Sequence, residues 1–136
     1  MELIPYLAFN GNCAEAFDFY RAALGGEFAM RMTYGESPMH AQMPPEIHGR
    51  IMHLHLQADG ASLMGGDAPP GDPVAAGGTS VSIQVGTPEE ADRIFNALVA
   101  GGRVEMPLQE SFWSQRFGML VDRYGKRWMV NCTRQP

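Results

Sequence analysis

Long apolar runs are missing from this chain. No stretch approaches the about 18–20 residues needed to cross a bilayer, and no basic-then-apolar start resembles a secretion signal. Cysteine is scarce, with only Cys13 and Cys132. That count excludes a disulfide scaffold and fits two reduced thiols in a cytoplasmic protein. Basic charge is in deficit, 10 Lys and Arg against 15 Asp and Glu, for a formal net charge of −5. A nucleic-acid partner is therefore not expected, because phosphate binding needs a basic face. Nor is a membrane partner.

What is present describes one globular domain. The 136 residues are 45% hydrophobic and 18% charged. A chain of that size buries about two thirds of its unfolded surface, and its composition excludes disorder as the main state. Sixteen glycines and ten prolines imply many turns, and ten methionines supply pliable apolar surface.

Leu3 to Phe9 reads as a strand. Asn12 and Glu15 have capping-box spacing before a helix from about Cys13 to Leu24, closed by Gly25-Gly26. Ala16, Phe19, Tyr20 and Ala23 share one helical face. Phe28, Met30 and Met32 alternate with Ala29, Arg31 and Thr33 in a second strand. A proline-bearing loop from Gly35 to Gly49 follows, of a length that is often functional or mobile. In Arg50 to Ala58, Met52, Leu54 and Leu56 face one way and His53, His55 and Gln57 the other. Asp59-Gly60 signals a hairpin, Ala61 to Met64 the return strand, and Gly65 to Gly78 a linker.

The pattern then recurs. Val81, Ile83 and Val85 alternate with Ser80, Ser82 and Gln84; Thr87, Pro88 and Glu90 open a helix that runs to about Ala100; and Gly101-Gly102 ends it. Strands are expected at Arg103–Pro107, Arg116–Val121 and Lys126–Thr133. Glu15, Ala16, Phe19 and Tyr20 match Glu90, Ala91, Ile94 and Phe95 at an offset of 75. Each half thus reads strand–helix–strand–strand–strand, an α+β unit. Its sheet is covered on one face by its helix and left open on the other. Two open faces brought together would make a cleft. The boundaries read as module one at about 1–66, a linker at 67–78 and module two at about 79–134.

The stretches PYLAFNGNCAEAFDFYRAALGGE from Pro5, LMGGD from Leu63 and EMPLQESFWSQRFGMLVDRYGKRWMVNC from Glu105, with the His53 strand between them, carry a resemblance over nearly the whole chain. It resembles the vicinal oxygen chelate superfamily of glyoxalases, bleomycin-resistance proteins and extradiol dioxygenases, most closely its PhnB-like branch. The resemblance implies tandem βαβββ modules in an incomplete eight-stranded barrel, and usually a homodimer. It also implies one divalent metal held by His, Glu or Gln from the first and last strands of each module. By register those positions fall at about Pro5, Met64, Ser80 and Met129. None suits a hard cation: thioethers are soft, proline offers no donor and a serine hydroxyl is weak. No cofactor is therefore expected.

A displaced divalent metal is the alternative. His53 and His55 project from one face at a spacing that can grip an ion, with Asp67, Glu110, Asp122 or His40 as a third ligand. Otherwise both are polar lining of the open face. Trp113 and Arg116 border the cleft, where the guanidinium could hold a carboxylate or phosphate. Trp128 belongs to the core, and Cys13 and Cys132 are apolar filler. The expected ligand surface is His53, His55, Ser80, Ser82, Trp113, Arg116, Met129 and Asn131. Its partner is a small polar molecule. The alternatives are a metal-dependent lyase, isomerase or oxygenase, and a non-catalytic dimeric scaffold; fold alone does not decide whether a reaction occurs. The methyltransferase label sometimes attached to PhnB-like sequences is not supported, since no strand–Gly-rich loop–helix unit appears.

Overall fold

A computed structural model describes residues 1–69, 71–72, 74 and 77–133. The chain divides into two compact units, Met1–Ala75 and Ala76–Pro136.

In the first unit, β1 (Tyr6–Phe9) leads into α1 (Cys13–Leu24), followed by β2 (Glu27–Thr33), β3 (Ile51–Ala58) and β4 (Ala61–Asp67). The sheet order is β1-β4-β3-β2. β1 runs parallel to β4, and the remaining pairs are antiparallel. A parallel pair needs a crossover, and α1 opens it. Phe9, Phe17, Tyr20, Leu54, Leu56 and Leu63 form the core between sheet and helix. Phe17, not the expected Phe19, joins Tyr20 as a fully buried ring of α1, and Gly65 makes room for it. A Cβ at Gly65 would lie 2.5 Å from the Phe17 ring.

The start of α1 differs from the capping-box expectation. Asn12 makes no side-chain cap bond. Asp67, buried at the end of β4, supplies the cap from a distance: its Oδ1 accepts the N–H groups of Gly11 at 2.7 Å and Cys13 at 3.1 Å. Its Oδ2 accepts the Ile51 N–H at 2.8 Å, and its main-chain carbonyl accepts the Tyr34 hydroxyl at 2.7 Å. One carboxylate therefore ties together the starts of α1 and β3. This is why β4 runs on through Gly65 and Gly66 to Asp67, where a linker was expected.

Two further expectations change. β2 carries a register shift between Phe28 and Met30. It leaves Ala29 outside the ladder, so Phe28 pairs with Leu56 on the helix-bearing face while Met30 pairs with His55 on the other. Phe28 lies beneath the guanidinium groups of Arg21 and Arg31, at 5.6 and 5.2 Å. The loop after β2 contains two short 3-10 turns, His40–Gln42 and Pro45–Ile47, and buries Ser37 and Ile47.

The second unit repeats the plan with β5 (Val81–Val85), α2 (Pro88–Val99), β6 (Arg103–Gln109), β7 (Ser114–Val121) and β8 (Arg127–Thr133), ordered β5-β8-β7-β6. Here the expected cap forms: Thr87 Oγ1 accepts the Glu90 N–H at 3.2 Å. Leu98, Leu120, Trp128, Val130 and Cys132 are its core. Asp122 closes the β7–β8 turn, accepting the N–H groups of Tyr124 and Lys126 and, through Oδ2, the Trp128 indole N–H at 2.8 Å. β6 has its own register shift between Val104 and Met106, which leaves out Glu105. The repeat thus extends to an irregularity in the matching strand. The architecture is α+β, two open four-stranded sheets each with one helix.

Candidate functional site

Each unit carries its own candidate surface, the sheet face turned away from its helix. Strand periodicity sends alternate residues there, and the bulges decide which residues of β2 and β6 join them.

In the first unit, one row across the sheet reads Met30, His55, Met64, Tyr6 from β2 to β1. Beyond it lie two further opposed pairs, Met32 with His53 and Ala8 with Gly66. The Tyr6 ring stacks on the His53 ring with centroids 5.8 Å apart, and its hydroxyl donates to the Met52 carbonyl at 3.3 Å. Gly66 permits that placement, since a Cβ there would lie 2.6 Å from the Tyr6 hydroxyl. Burial, and then the fields of Cys13, Tyr34 and Asp67, raise the Tyr6 phenol above its ordinary value, so it remains a donor at neutral pH. His55 Nε2 shares a 2.9 Å hydrogen bond with Ser62 Oγ.

In the second unit the matching row is Met106, Met119, Met129, Ser82. Beside it runs a line of hydrogen-bonded polar side chains. Ser114 donates to Asn131 Oδ1, Asn131 Nδ2 donates to Gln84 Oε1 at 2.7 Å, and Gln84 Nε2 donates to Ser82 Oγ at 3.0 Å. Next to that line Trp113 packs edge-on against Phe117, at 5.7 Å, and against Phe112, at 4.5 Å. Trp113 is 47% exposed and Phe112 is 88% exposed.

The expected ligand residues fall as follows. His53 and His55 occupy the helix-free face of the first sheet. Ser82, Met129 and Asn131 occupy that of the second, and Trp113 reaches it through Phe117. Ser80 precedes β5 and is exposed. Arg116 lies on the opposite face: it pairs with Cys132 in the ladder and donates to Asp92 of α2 at 3.3 Å. Unbroken alternation along β7 puts it there, because Arg116 shares the parity of Gly118 and of the core residue Leu120. Tyr6 and Phe117 are face residues that the sequence reading did not single out. The alternation of β1 and β7 is the signal that points to them.

The laddered pairs nearest the expected positions that face away from the helix are Tyr6 with Met64 in the first unit and Ser82 with Met129 in the second. Register thus moves the first-strand position from Pro5 to Tyr6 and the fifth-strand position from Ser80 to Ser82. A phenol, a hydroxyl and two thioethers do not fit a hard divalent cation. Of the four candidates for a third ligand beside His53 and His55, three (Asp67, Asp122 and His40) hold other partners and Glu110 follows β6 in the second unit. Asp67 holds three backbone N–H groups, Asp122 holds two and an indole, and His40 Nδ1 bonds the Ser37 carbonyl at 2.9 Å. Among the described residues no group of three or more His, Cys, Asp and Glu side chains could hold a metal ion. Cys13 and Cys132 are both buried and unbridged.

Paired βαβββ units with these helix-free faces define the class. The Glyoxalase/Bleomycin resistance protein/Dioxygenase superfamily model matches residues 3–130, and the chain belongs to that superfamily. Within it, the chain is similar to protein PA1353 of Pseudomonas aeruginosa, whose crystal structure shares 43% identity and a TM-score of 0.90 over 99% of both chains. It is also similar to protein YjdN of Escherichia coli K12, at 34% identity over 99% of this chain and 97% of that one. A third relative is a PhnB protein of Bacillus cereus, named as a candidate 3-demethylubiquinone-9 3-methyltransferase; it shares 25% identity and a TM-score of 0.79 over 98% of this chain and 100% of that one. No helix among the described residues is long and apolar enough to cross a membrane.

Proposed function

We propose that this chain binds a small, partly polar organic molecule on its helix-free faces without the divalent metal of its superfamily. The observation that carries this reading is the second unit's face. A fixed line of carboxamides and hydroxyls, from Ser82 through Gln84 and Asn131 to Ser114, lies beside the thioethers and the Trp113–Phe117 pair. Such a surface offers oriented donors and acceptors beside polarizable apolar contact, as small-molecule sites do. A purely solvated face would carry Lys and Glu instead. The first unit supports the reading with the stacked Tyr6–His53 pair.

The reading includes a cytoplasmic homodimer, which light scattering on the purified chain tests. It does not extend the methyltransferase description of the Bacillus relative to this chain. Neither strand-to-helix connection, 10–12 or 86–87, offers a glycine-rich phosphate loop.

A thermal-shift panel of small organic acids and amides, run beside Mg, Mn, Ni and Zn salts, tests the function. The expected result is stabilisation by an organic compound that weakens in Asn131→Leu and needs no metal. Stoichiometric divalent metal in protein purified without chelator, lost in His53→Ala, would overturn it in favour of a metal-dependent enzyme.

A further inference from the structure

We propose that the helix-free face of the second unit binds one soft monovalent cation, copper(I) or silver(I), through the thioether sulfurs of Met106, Met119 and Met129. The inference stands apart from the small-molecule reading and uses only the register of three strands. Met106 on β6 sits opposite Met119 on β7, and Met119 sits opposite Met129 on β8. Neighbouring strands lie about 4.7–4.9 Å apart, so the two outer backbones are about 10 Å from each other. Methionine has three rotatable side-chain bonds, and the outer two can lean over the central one until three sulfurs meet a single ion.

The bulge makes the row. In a regular strand Met106 would share the face of Val104, which pairs with Leu120 on the helix-bearing side. Leaving Glu105 out of the ladder turns Met106 to the helix-free face. Glu105 then serves a second end. Its carboxylate pairs with Arg127 at 2.8 Å and with Arg103 at 3.3 Å, neutralising the guanidinium that shares the Met129 face. The row ends at Ser82, whose hydroxyl is bonded by Gln84.

The donor set selects the ion. Thioethers are soft and uncharged, so they favour copper(I) and silver(I) and offer little to magnesium, calcium or zinc. The corresponding row of the first unit replaces the central methionine with His55, whose Nε2 is bonded to Ser62. In the second unit's row three successive strands each offer a thioether at directly opposed positions.

The test is silver titration of the whole chain carrying methyl-labelled methionine, in chloride-free buffer and followed by NMR. The chain has ten methionines. The methyl signals of Met106, Met119 and Met129 are expected to shift together and saturate at a single equivalent. Met119→Leu, a volume-conserving exchange, is expected to abolish the response at the other two while leaving the remaining spectrum in place. Should that variant not fold, Met106→Leu on the exposed edge strand serves the same purpose. Silver taken up with those three methyls unmoved, as by Cys13 or Cys132, overturns the proposal. So does a shift at Met106 and Met129 that survives Met119→Leu, or a response confined to Met30 and Met64.

Discussion

Asp67 caps a helix that begins 54 residues before it: its Oδ1 accepts the Cys13 N–H at 3.1 Å. The same carboxylate holds Gly11 and Ile51, so the last strand of the first unit fastens both its first helix and its third strand. Asp67→Ala leaves three backbone donors without that acceptor. Hydrogen bonds to charged groups are worth about 1.5–3 kcal/mol, and some of the freed donors will find water. The expected loss is about 3–4 kcal/mol in urea unfolding, with Asp67→Asn losing about half as much.

Two glycines are set against aromatic rings, one in each unit. Gly65→Ala drives a methyl into Phe17 and the Leu7 carbonyl, and Gly118→Ala drives one into Phe95 and the Leu108 backbone. Each is expected to cost about 1–3 kcal/mol by overpacking. Gly86→Ala meets nothing within 4 Å and should stay within about 0.5 kcal/mol. Thermal melts of the three variants provide the comparison.

Tyr34 makes stability sensitive to alkali. Burial, followed by the nearby Asp67 and Asp72, raises its phenol above the ordinary 10.0. A raised folded value means the stabilisation is complete below pH 10 and is lost as pH rises through the folded value. Deprotonation ends the bond to the Asp67 carbonyl and places a phenolate near the Asp67 carboxylate. Unfolding free energy should therefore fall as pH climbs above 10. Tyr34→Phe should start lower by about 1 kcal/mol at neutral pH and fall less steeply.

Arg116 supplies a small effect by contrast. Its pair with Asp92 is part exposed on both sides, 35% and 50% at the side chains. Asp92→Asn is expected to change stability by less than about 1 kcal/mol, and the change should shrink further in high salt. Denaturant melts at two ionic strengths measure it. A much larger loss would mean that the guanidinium has a further role.

The fold was legible because duplication writes its signature twice. Paired capping residues, paired glycine stops and alternating strands located both helices and every strand. Faces were legible where alternation is unbroken, as in His53, His55 and Leu54 of β3 or Trp128 and Met129 of β8. They were misread where a ladder slips. Phe28 is the case in β2, where alternation alone groups it with Met30 and Met32; Arg116 keeps the parity of Gly118 and Leu120 without a break, so its helix-bearing side could be read from them. Nothing local in Ala29 announces an extra residue; the partner strand decides it. The Asp67 cap was hidden for a related reason. A helix start normally advertises its acceptor within a few residues, and here the acceptor arrives from the far end of the unit. The site's polar line could be read only in part, since Ser82 and Asn131 show their alternation while their bond partners depend on strand order.

Ala29 and Glu105 hold one more consequence. Each is surplus to its ladder, so excising either would leave every neighbour facing as it does now and merely straighten the ribbon. The additional residue is thus an instruction about arc, given independently to both halves. Excising Ala29 would reveal how much of the molecule's behaviour depends on bend alone, whereas excising Glu105 would also strip Arg103 and Arg127 of their carboxylate.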